Sequence, residues 1–316
     1  MAGNVAGAMR EVLTVPDWRE PALWGLVGNT PLIPLEPALL LKAEWRNPGG
    51  SVKDRAAREI LRSGLAQGAL PERRLLDSSS GNTAVAYAML GAAAGIGVTV
   101  CVPANVSSAR RTQLRLHGAE VIETDPLEGS DGAIRRAGEI LAAEPERFWY
   151  ADQYNNAANP LAHERTTGPE IWRATRGRIT HLVAGVGTSG TLVGAGRFLR
   201  ERRRDIRLVA VQPESPLHGL EGLKHLATAI VPGIYDPSLV DETVFVATEA
   251  AAEKVRQFAR ARGLFVGWST GAALVAAESV LSRAATERGV VPLVVAIAPD
   301  GGAPYLADER RLLGEP

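Results

Sequence analysis

Asn47-Pro48-Gly49-Gly50-Ser51-Val52-Lys53-Asp54-Arg55 is a tight turn set directly against the start of a helix. Proline presets one φ and the two glycines permit positive ones, an arrangement no β-strand accommodates. Ser51 is expected to cap the helix, with Asp54 three residues on in the acidic position of a capping pair. Val52, Ala56, Ile60 and Leu61 then recur at helical spacing, so packing anchors one face of the helix. Lys53 therefore falls in the first turn, where the positive end of the helix dipole disfavours an ammonium. A lysine whose pKa is lowered in this way suits Schiff-base chemistry. Taken alone, a solvent-facing lysine explains the same short pattern.

Two further segments shift that balance. Ser79-Ser80-Gly81-Asn82-Thr83 follows the strand-like run Leu75-Leu76-Asp77 and opens an alanine-rich helix reaching about Ala94. Gly187-Thr188-Ser189-Gly190-Thr191 follows the apolar run His181-Leu182-Val183-Ala184 and opens a helix through Phe198 and Leu199. At both junctions unpaired backbone amides and the helix dipole favour an anion. One loop suits a carboxylate and the other a phosphate. Gly185-Val186-Gly187-Thr188-Ser189-Gly190 also satisfies G-x-G-x-x-G, so a dinucleotide, and with it an NAD-binding oxidoreductase, has to be weighed. That reading wants an acid about 20 residues on, at the end of the next strand. Asp205 precedes the strand around Leu208-Val209-Ala210-Val211, and Glu214 lies beyond Pro213 and somewhat too far. A phosphate monoester fits the loop better, with Thr188 and Thr191 adding hydroxyl donors to the amides.

Short apolar runs alternate with longer helical patterns throughout. Strands are expected at 75–78, 98–102, 119–123, 181–186, 207–212 and 293–298, most separated by helices of ten or more residues. That order predicts an α/β protein with mainly parallel sheets and right-handed crossovers. The 316 residues, 46% hydrophobic and 22% charged, suit roughly two globular domains. Lysine plus arginine equals aspartate plus glutamate at 35 each, so no overall field points to nucleic acid or an anionic membrane. The basic run Arg200-Glu201-Arg202-Arg203-Arg204 reads as a solvated helix end. Cys101, the single cysteine, sits in the buried-strand pattern Val98-Thr99-Val100-Cys101-Val102 and is expected to be inert. The five histidines form no metal-ligand pattern. No signal peptide or membrane-length apolar run is recognisable, which makes the cytoplasm the expectation.

Taken together, these segments resemble the cysteine synthase family, the β-replacement branch of the tryptophan-synthase-like (fold type II) pyridoxal phosphate enzymes. The matching elements run from Gly28-Asn29-Thr30-Pro31-Leu32 to Pro299-Asp300-Gly301-Gly302 and include Gln153-Tyr154, Asn159-Pro160, Thr166-Thr167-Gly168-Pro169-Glu170 and Gly267-Trp268-Ser269-Thr270-Gly271. The resemblance implies a tryptophan synthase β-like fold with pyridoxal 5'-phosphate in the cleft between two domains. A smaller domain at 41–150 would carry the substrate carboxylate loop. Residues 1–40 with 151–316 would form the larger, phosphate-binding one.

The resemblance also implies roles. Lys53 would bind the cofactor covalently and act as the catalytic base. Gly187, Thr188, Ser189, Gly190 and Thr191 would hold its phosphate, Asn82 its ring hydroxyl and Ser269 its pyridine nitrogen. A hydroxyl at that nitrogen leaves it largely unprotonated, which favours replacement at the β-carbon over transamination. Ser79, Ser80, Gly81, Asn82, Thr83 and Gln153 would bind the substrate carboxylate. Without the resemblance Gln153 reads as a surface residue after the strand Phe148-Trp149-Tyr150. Ser79, Ala84 and Ser189 stand where relatives more often have threonine, glycine and glycine. Trp268 replaces a small aliphatic residue and either lines the ring pocket or fills core, with core the preferred reading since aromatics usually do. Lys224, in the glycine-punctuated stretch His218 to His225, is either a leaving-group residue or a surface lysine. The implied reaction makes L-cysteine from an O-activated serine (O-acetylserine first, O-phosphoserine second) and a sulfide donor. Cystathionine β-synthase and serine/threonine dehydratase activities share the same lysine and loops. A homodimer without nucleic-acid or membrane partners is expected.

Overall fold

A computed structural model describes residues 20–79, 81–286, 289 and 291–315. Its strands are β1 (Leu32–Glu36), β2 (Leu39–Ala43), β3 (Arg74–Ser78), β4 (Val98–Pro103), β5 (Glu120–Thr124), β6 (Phe148–Tyr150), β7 (His181–Gly185), β8 (Arg207–Pro213), β9 (Glu242–Val246) and β10 (Val294–Ala298). The helices are α1 (Lys53–Ala66), α2 (Asn82–Ala93), α3 (Ser108–Leu116), α4 (Gly129–Ala143), α5 (Ala158–Arg165), α6 (Thr167–Thr175), α7 (Gly190–Arg202), α8 (Thr248–Arg262), α9 (Trp268–Ala284) and α10 (Glu309–Leu313). One sheet has six strands in the order β1-β2-β10-β7-β8-β9, and the other has four in the order β5-β4-β3-β6. Every pairing is parallel except β1 with β2.

The central strands are buried on both faces, and their sequences show it: every residue of β4 (VTVCVP) and of β10 (VVAIA) is buried. Seven of the strands lie where the sequence places them, β6 being the expected Phe148-Trp149-Tyr150. β1 and β9 escaped because they are edge strands with half-exposed patterns, and β1 tolerates Pro34 for that reason. β2 is interior, but Lys42 breaks its apolar run. The expected boundary between residues 40 and 41 falls inside β2, which belongs to the six-stranded sheet.

Parallel strands deliver their following loops to one edge, which is where open α/β sheets bind ligands. The loops after β2, β3, β7 and β10 accordingly carry the turn at 47–52, the Ser79 loop, the Gly187 loop and Pro299–Gly302. Val52 N–H donates to the Pro299 carbonyl at 2.7 Å, and Ser51 forms an isolated bridge with Asp300. The cap of α1 differs from the expected pairing. Ser51 Oγ accepts from Lys53 N–H at 3.2 Å, whereas Asp54 Oδ2 reaches back to Gly49 N–H at 2.5 Å. At the end of α7 the basic run is only partly solvated: Arg200 pairs with Asp241, and Arg203 donates to the Gly177 and Ile179 carbonyls.

Beneath α1 lies a buried network of two cations and two carboxylates. Arg55 binds Glu44 through Nε at 2.6 Å and Nη2 at 2.8 Å, and Glu170 through Nη1 at 2.7 Å and Nη2 at 2.8 Å. Lys42 Nζ donates to Glu170 Oε2 and to the Thr30 carbonyl, both at 2.6 Å. Thr30 Oγ1 donates to Glu44 at 2.6 Å, and Asn29 N–H to Glu170 at 3.0 Å. Gly28 adopts φ +100°, and a Cβ there would press on the Arg55 guanidinium. The Gly28-Asn29-Thr30 and Gly168-Pro169-Glu170 motifs thus serve one network. Burial works to raise the pKa of Glu170, but the hydrogen bonds and charge of Arg55 prevail and hold it at about 2.

Arg55→Met should destabilise the fold by about 3–5 kcal/mol, because it strands two buried carboxylates with only Lys42 to balance them. A urea midpoint close to that of the wild type would show the network to be dispensable.

Candidate active site

Lys53, the first residue of α1, directs its side chain into a cavity shared with Ser79, Asn82, Thr83, Gln153 and Thr188. Burial lowers the pKa of its amine, and the nearby Asp300 carboxylate partly opposes that shift. The expected lowering is present, with burial as its main cause.

The loop after β3 is pinned from within. Ser79 Oγ accepts from Gly81 N–H at 3.3 Å and Ala84 N–H at 3.2 Å, while Ser80 lies outside the described residues. Thr83 Oγ1 donates to Gln153 Oε1 at 2.8 Å, and Gln153 Nε2 donates to the Ser78 carbonyl at 2.6 Å. Only 3% exposed, Gln153 is no surface residue. Asp77, fully buried beneath the loop, accepts from Ser78 N–H at 2.8 Å and Gln153 N–H at 3.3 Å. Burial, above all, pushes its carboxyl up to about 7.

The Gly187 loop has the form of an anion cradle. A Cβ on Gly187 would overlap the Gly222 carbonyl oxygen, and one on Gly190 would overlap Asn159 Oδ1. Ser189 holds a left-handed φ of +71° immediately before α7, and its buried Oγ has no protein partner. The start of α7 leaves backbone N–H groups without intrahelical acceptors. Gly187 and Thr188 line the cavity, whereas Ser189, Gly190 and Thr191 are buried behind them. Thr191 Oγ1 lies 3.2 Å from His163 Nε2, and His163 Nδ1 lies 2.8 Å from Thr167 Oγ1. Burial, reinforced by Arg55, lowers His163 to about 3, so its imidazole is neutral.

Several residues at the site were not singled out from the sequence. Asn159 Nδ2 donates to the Gln153 carbonyl at 2.8 Å and to Thr188 Oγ1 at 3.1 Å, linking the Gly187 loop to the residue whose side chain holds Thr83. Asp300 Oδ2 accepts from Asn82 Nδ2 at 2.7 Å and from the Tyr305 hydroxyl at 2.6 Å. Arg110, from α3, lies beside Glu221 at 3.7 Å and over the Tyr305 ring at 5.7 Å. Asn159 and Asp300 stand in motifs recognisable in the chain, whereas nothing local marks Arg110.

Lys224 is 6% exposed, which removes the surface-lysine reading. Its Nζ lies 3.0 Å from Asp131 Oδ1 and 5.0 Å from the Tyr154 ring centroid. Ser269 is buried in the first turn of α9 and is not among the residues lining the cavity. Trp268 is buried against Tyr305, with ring centroids 5.9 Å apart, and is core as expected. Asp205, a candidate ribose acid, pairs instead with Arg203 at 2.8 Å, and Glu214 is exposed.

Residues 23–299 match the family described as pyridoxal-phosphate dependent enzyme. The chain belongs to that family. It is 46% identical over 292 residues to the cysteine synthase of Aquifex aeolicus (strain VF5), covering 89% of each. To cysteine synthase B of Salmonella typhimurium (strain LT2) it is 39% identical over 289 residues, covering 89% of this chain and 93% of that one. Among solved structures it is similar to cysteine synthase (OASS) from Entamoeba histolytica, with TM-score 0.85 at 29% identity and coverage of 98% and 94%. Pyridoxal phosphate is therefore the cofactor. The residues present fit it: the start of α7 offers backbone N–H groups without intrahelical acceptors beside Gly187 and Thr188, and a lysine of lowered pKa shares their cavity.

Thr188→Ala with Thr191→Ala should shed cofactor on dialysis more readily, since charge-assisted hydrogen bonds are worth roughly 1.5–3 kcal/mol each. Visible absorbance after dialysis reads the loss, and full retention would take both hydroxyls out of the phosphate site. A second expectation concerns pH. In the unfolded chain Asp77 ionises above about pH 4, but the folded protein keeps it protonated up to about 7. Its contribution to stability should therefore fall as pH rises across that window. Asp77→Asn should lose less stability than the wild type between pH 5 and pH 8 in urea titrations, and parallel losses would refute the assignment.

Proposed function

We propose that this chain is a cysteine synthase that replaces the acetate or phosphate of an O-activated L-serine by sulfide to give L-cysteine. One observation carries the reading. The amine of Lys53 shares a single cavity with residues of the Gly187 loop and of the Ser79 loop, and Asn159 and Gln153 link the two through Thr188 and Thr83. The curated relatives named cysteine synthase support it at 46% and 39% identity.

When bound, pyridoxal phosphate supplies an attachment point for the amino group and an electron sink that acidifies the α-hydrogen. The protein supplies position and proton transfer. Gly187 to Thr191 would hold the phosphate through α7 amides and hydroxyls, and neutral His163 orients the Thr191 hydroxyl. Lys53 is the residue for covalent attachment. By the family resemblance Asn82 would meet the ring hydroxyl and Ser269 the pyridine nitrogen. The amides of the Ser79–Thr83 loop, with Gln153, bind the substrate carboxylate and fix which hydrogen faces Lys53. Burial keeps the Lys53 amine easy to deprotonate, so it takes the α-proton and later returns it. The loop also excludes water that would compete with sulfide. Lys224 lines the same cavity and by the family resemblance would face the leaving group.

The unit built on the four-stranded sheet carries the carboxylate loop, and the one built on the six-stranded sheet carries the phosphate cradle. We take these as the smaller and larger domains. The family resemblance adds a homodimer acting in the cytoplasm, the first of which sedimentation velocity tests.

Purified holoenzyme should form cysteine from sulfide and either O-acetyl-L-serine or O-phospho-L-serine, and no cysteine from either ester would refute the reading. Lys53→Ala should lower turnover by about 10²–10⁴-fold or more, with circular dichroism unchanged because alanine favours a helix. Turnover near the wild-type rate would remove Lys53 from the proton transfer.

A further inference from the structure

Lys224 is a buried cation on the wall of the catalytic cavity, and its charge is already matched. Asp131, in the first turn of α4, places Oδ1 at 3.0 Å from Lys224 Nζ, with the Ser130 hydroxyl at 3.5 Å from the same oxygen. Its Oδ2 accepts from Ile230 N–H at 3.4 Å. One carboxylate from the four-stranded unit thus grips the Lys224–Ile230 segment of the other unit at both ends. An acid is at home in a helix's first turn, where the dipole favours it. The second cavity cation on this side, Arg110, faces Glu221 at 3.7 Å. Each of these two cations thus faces a carboxylate.

Resting on the cysteine synthase reading, we propose that Asp131 is a specificity-determining residue that disfavours a dianionic leaving group. The Coulomb term scales with the product of charges, so one carboxylate repels a phosphate dianion and has little effect on a neutral acetyl ester. Asp131 also holds the ammonium that such a phosphate would need. It acts through Lys224 and is a positioning residue, since Ser130 rather than Asp131 lines the cavity.

The test compares the ratio of kcat/KM for O-phospho-L-serine to that for O-acetyl-L-serine in the holoenzyme. Asp131→Asn keeps the shape and an acceptor but removes the charge, and should raise the ratio at least about tenfold, equal to about 1.4 kcal/mol. The variant leaves Lys224 without its carboxylate, so its ratio should fall with added sodium chloride more steeply than that of the wild type. A purely structural role would not produce that difference. Lys224→Ala should lower the ratio, and adding it to Asp131→Asn should cancel the gain. Calorimetry of inorganic phosphate with holoenzyme reads the same charge without turnover and should show tighter binding to the variant. Should neither ester be consumed, the functional reading fails and the calorimetry still decides the role of Asp131. An unchanged or lowered ratio, or phosphate affinity equal to the wild type, would overturn the proposal. Asp131→Ser, checked by circular dichroism and cofactor absorbance, replaces Asp131→Asn if the latter does not fold.

Discussion

The buried contacts of Arg55 with Glu44 and Glu170 are the constraint on which the rest of the site depends. Arg55 lies two residues beyond Lys53 on the same helix, so whatever fixes the guanidinium fixes the reactive amine. Glu44 comes from the turn after β2, Glu170 from α6, and Lys42 from β2 itself. The start of α1 is therefore clamped to three elements at once. Exchanging such a network for apolar groups often leaves stability unchanged, whereas breaking it is costly. Its use here is positional: charged hydrogen bonds at 2.6–2.8 Å tolerate little displacement, whereas an apolar contact would let the helix slide.

Sheet architecture was legible because central parallel strands are continuous apolar runs, and β4 and β10 could be read directly. Edge strands were harder. β9 buries too little to show a pattern, and β2 contains Lys42, whose burial only the network explains. The two anion loops were legible as well, since glycine and hydroxyl residues between a strand and a helix have few other uses. Asp300, Asn159, Arg110 and Asp131 were opaque as participants. Each is a single polar residue on its own element, and only the strand order brings them together. β10 lies between β2 and β7, and for that reason Asp300 meets the turn that precedes Lys53.

The cavity combines groups of opposite electrostatic design. Around the Gly187 loop the protein offers amides, hydroxyls and a neutral histidine, so an anion there is held by oriented dipoles. Beside Lys53 the Asp300 carboxylate is already engaged by Asn82 and Tyr305, which limits how far it can raise the lysine's pKa. At the far end full charges face each other in pairs. A single pocket thus grades from neutral donors, through a desolvated amine, to compensated ions.

The contact between Gly187 and the Gly222 carbonyl links two tasks that biochemistry usually treats separately. Gly187 belongs to the phosphate cradle, and Gly222 to the segment bearing Glu221 and Lys224. With no room for a side chain between them, the two backbones pack directly on each other. Sequence changes that reshape the 218–226 segment for a different serine ester are therefore felt at the cradle, and changes in the cradle are felt at the ester.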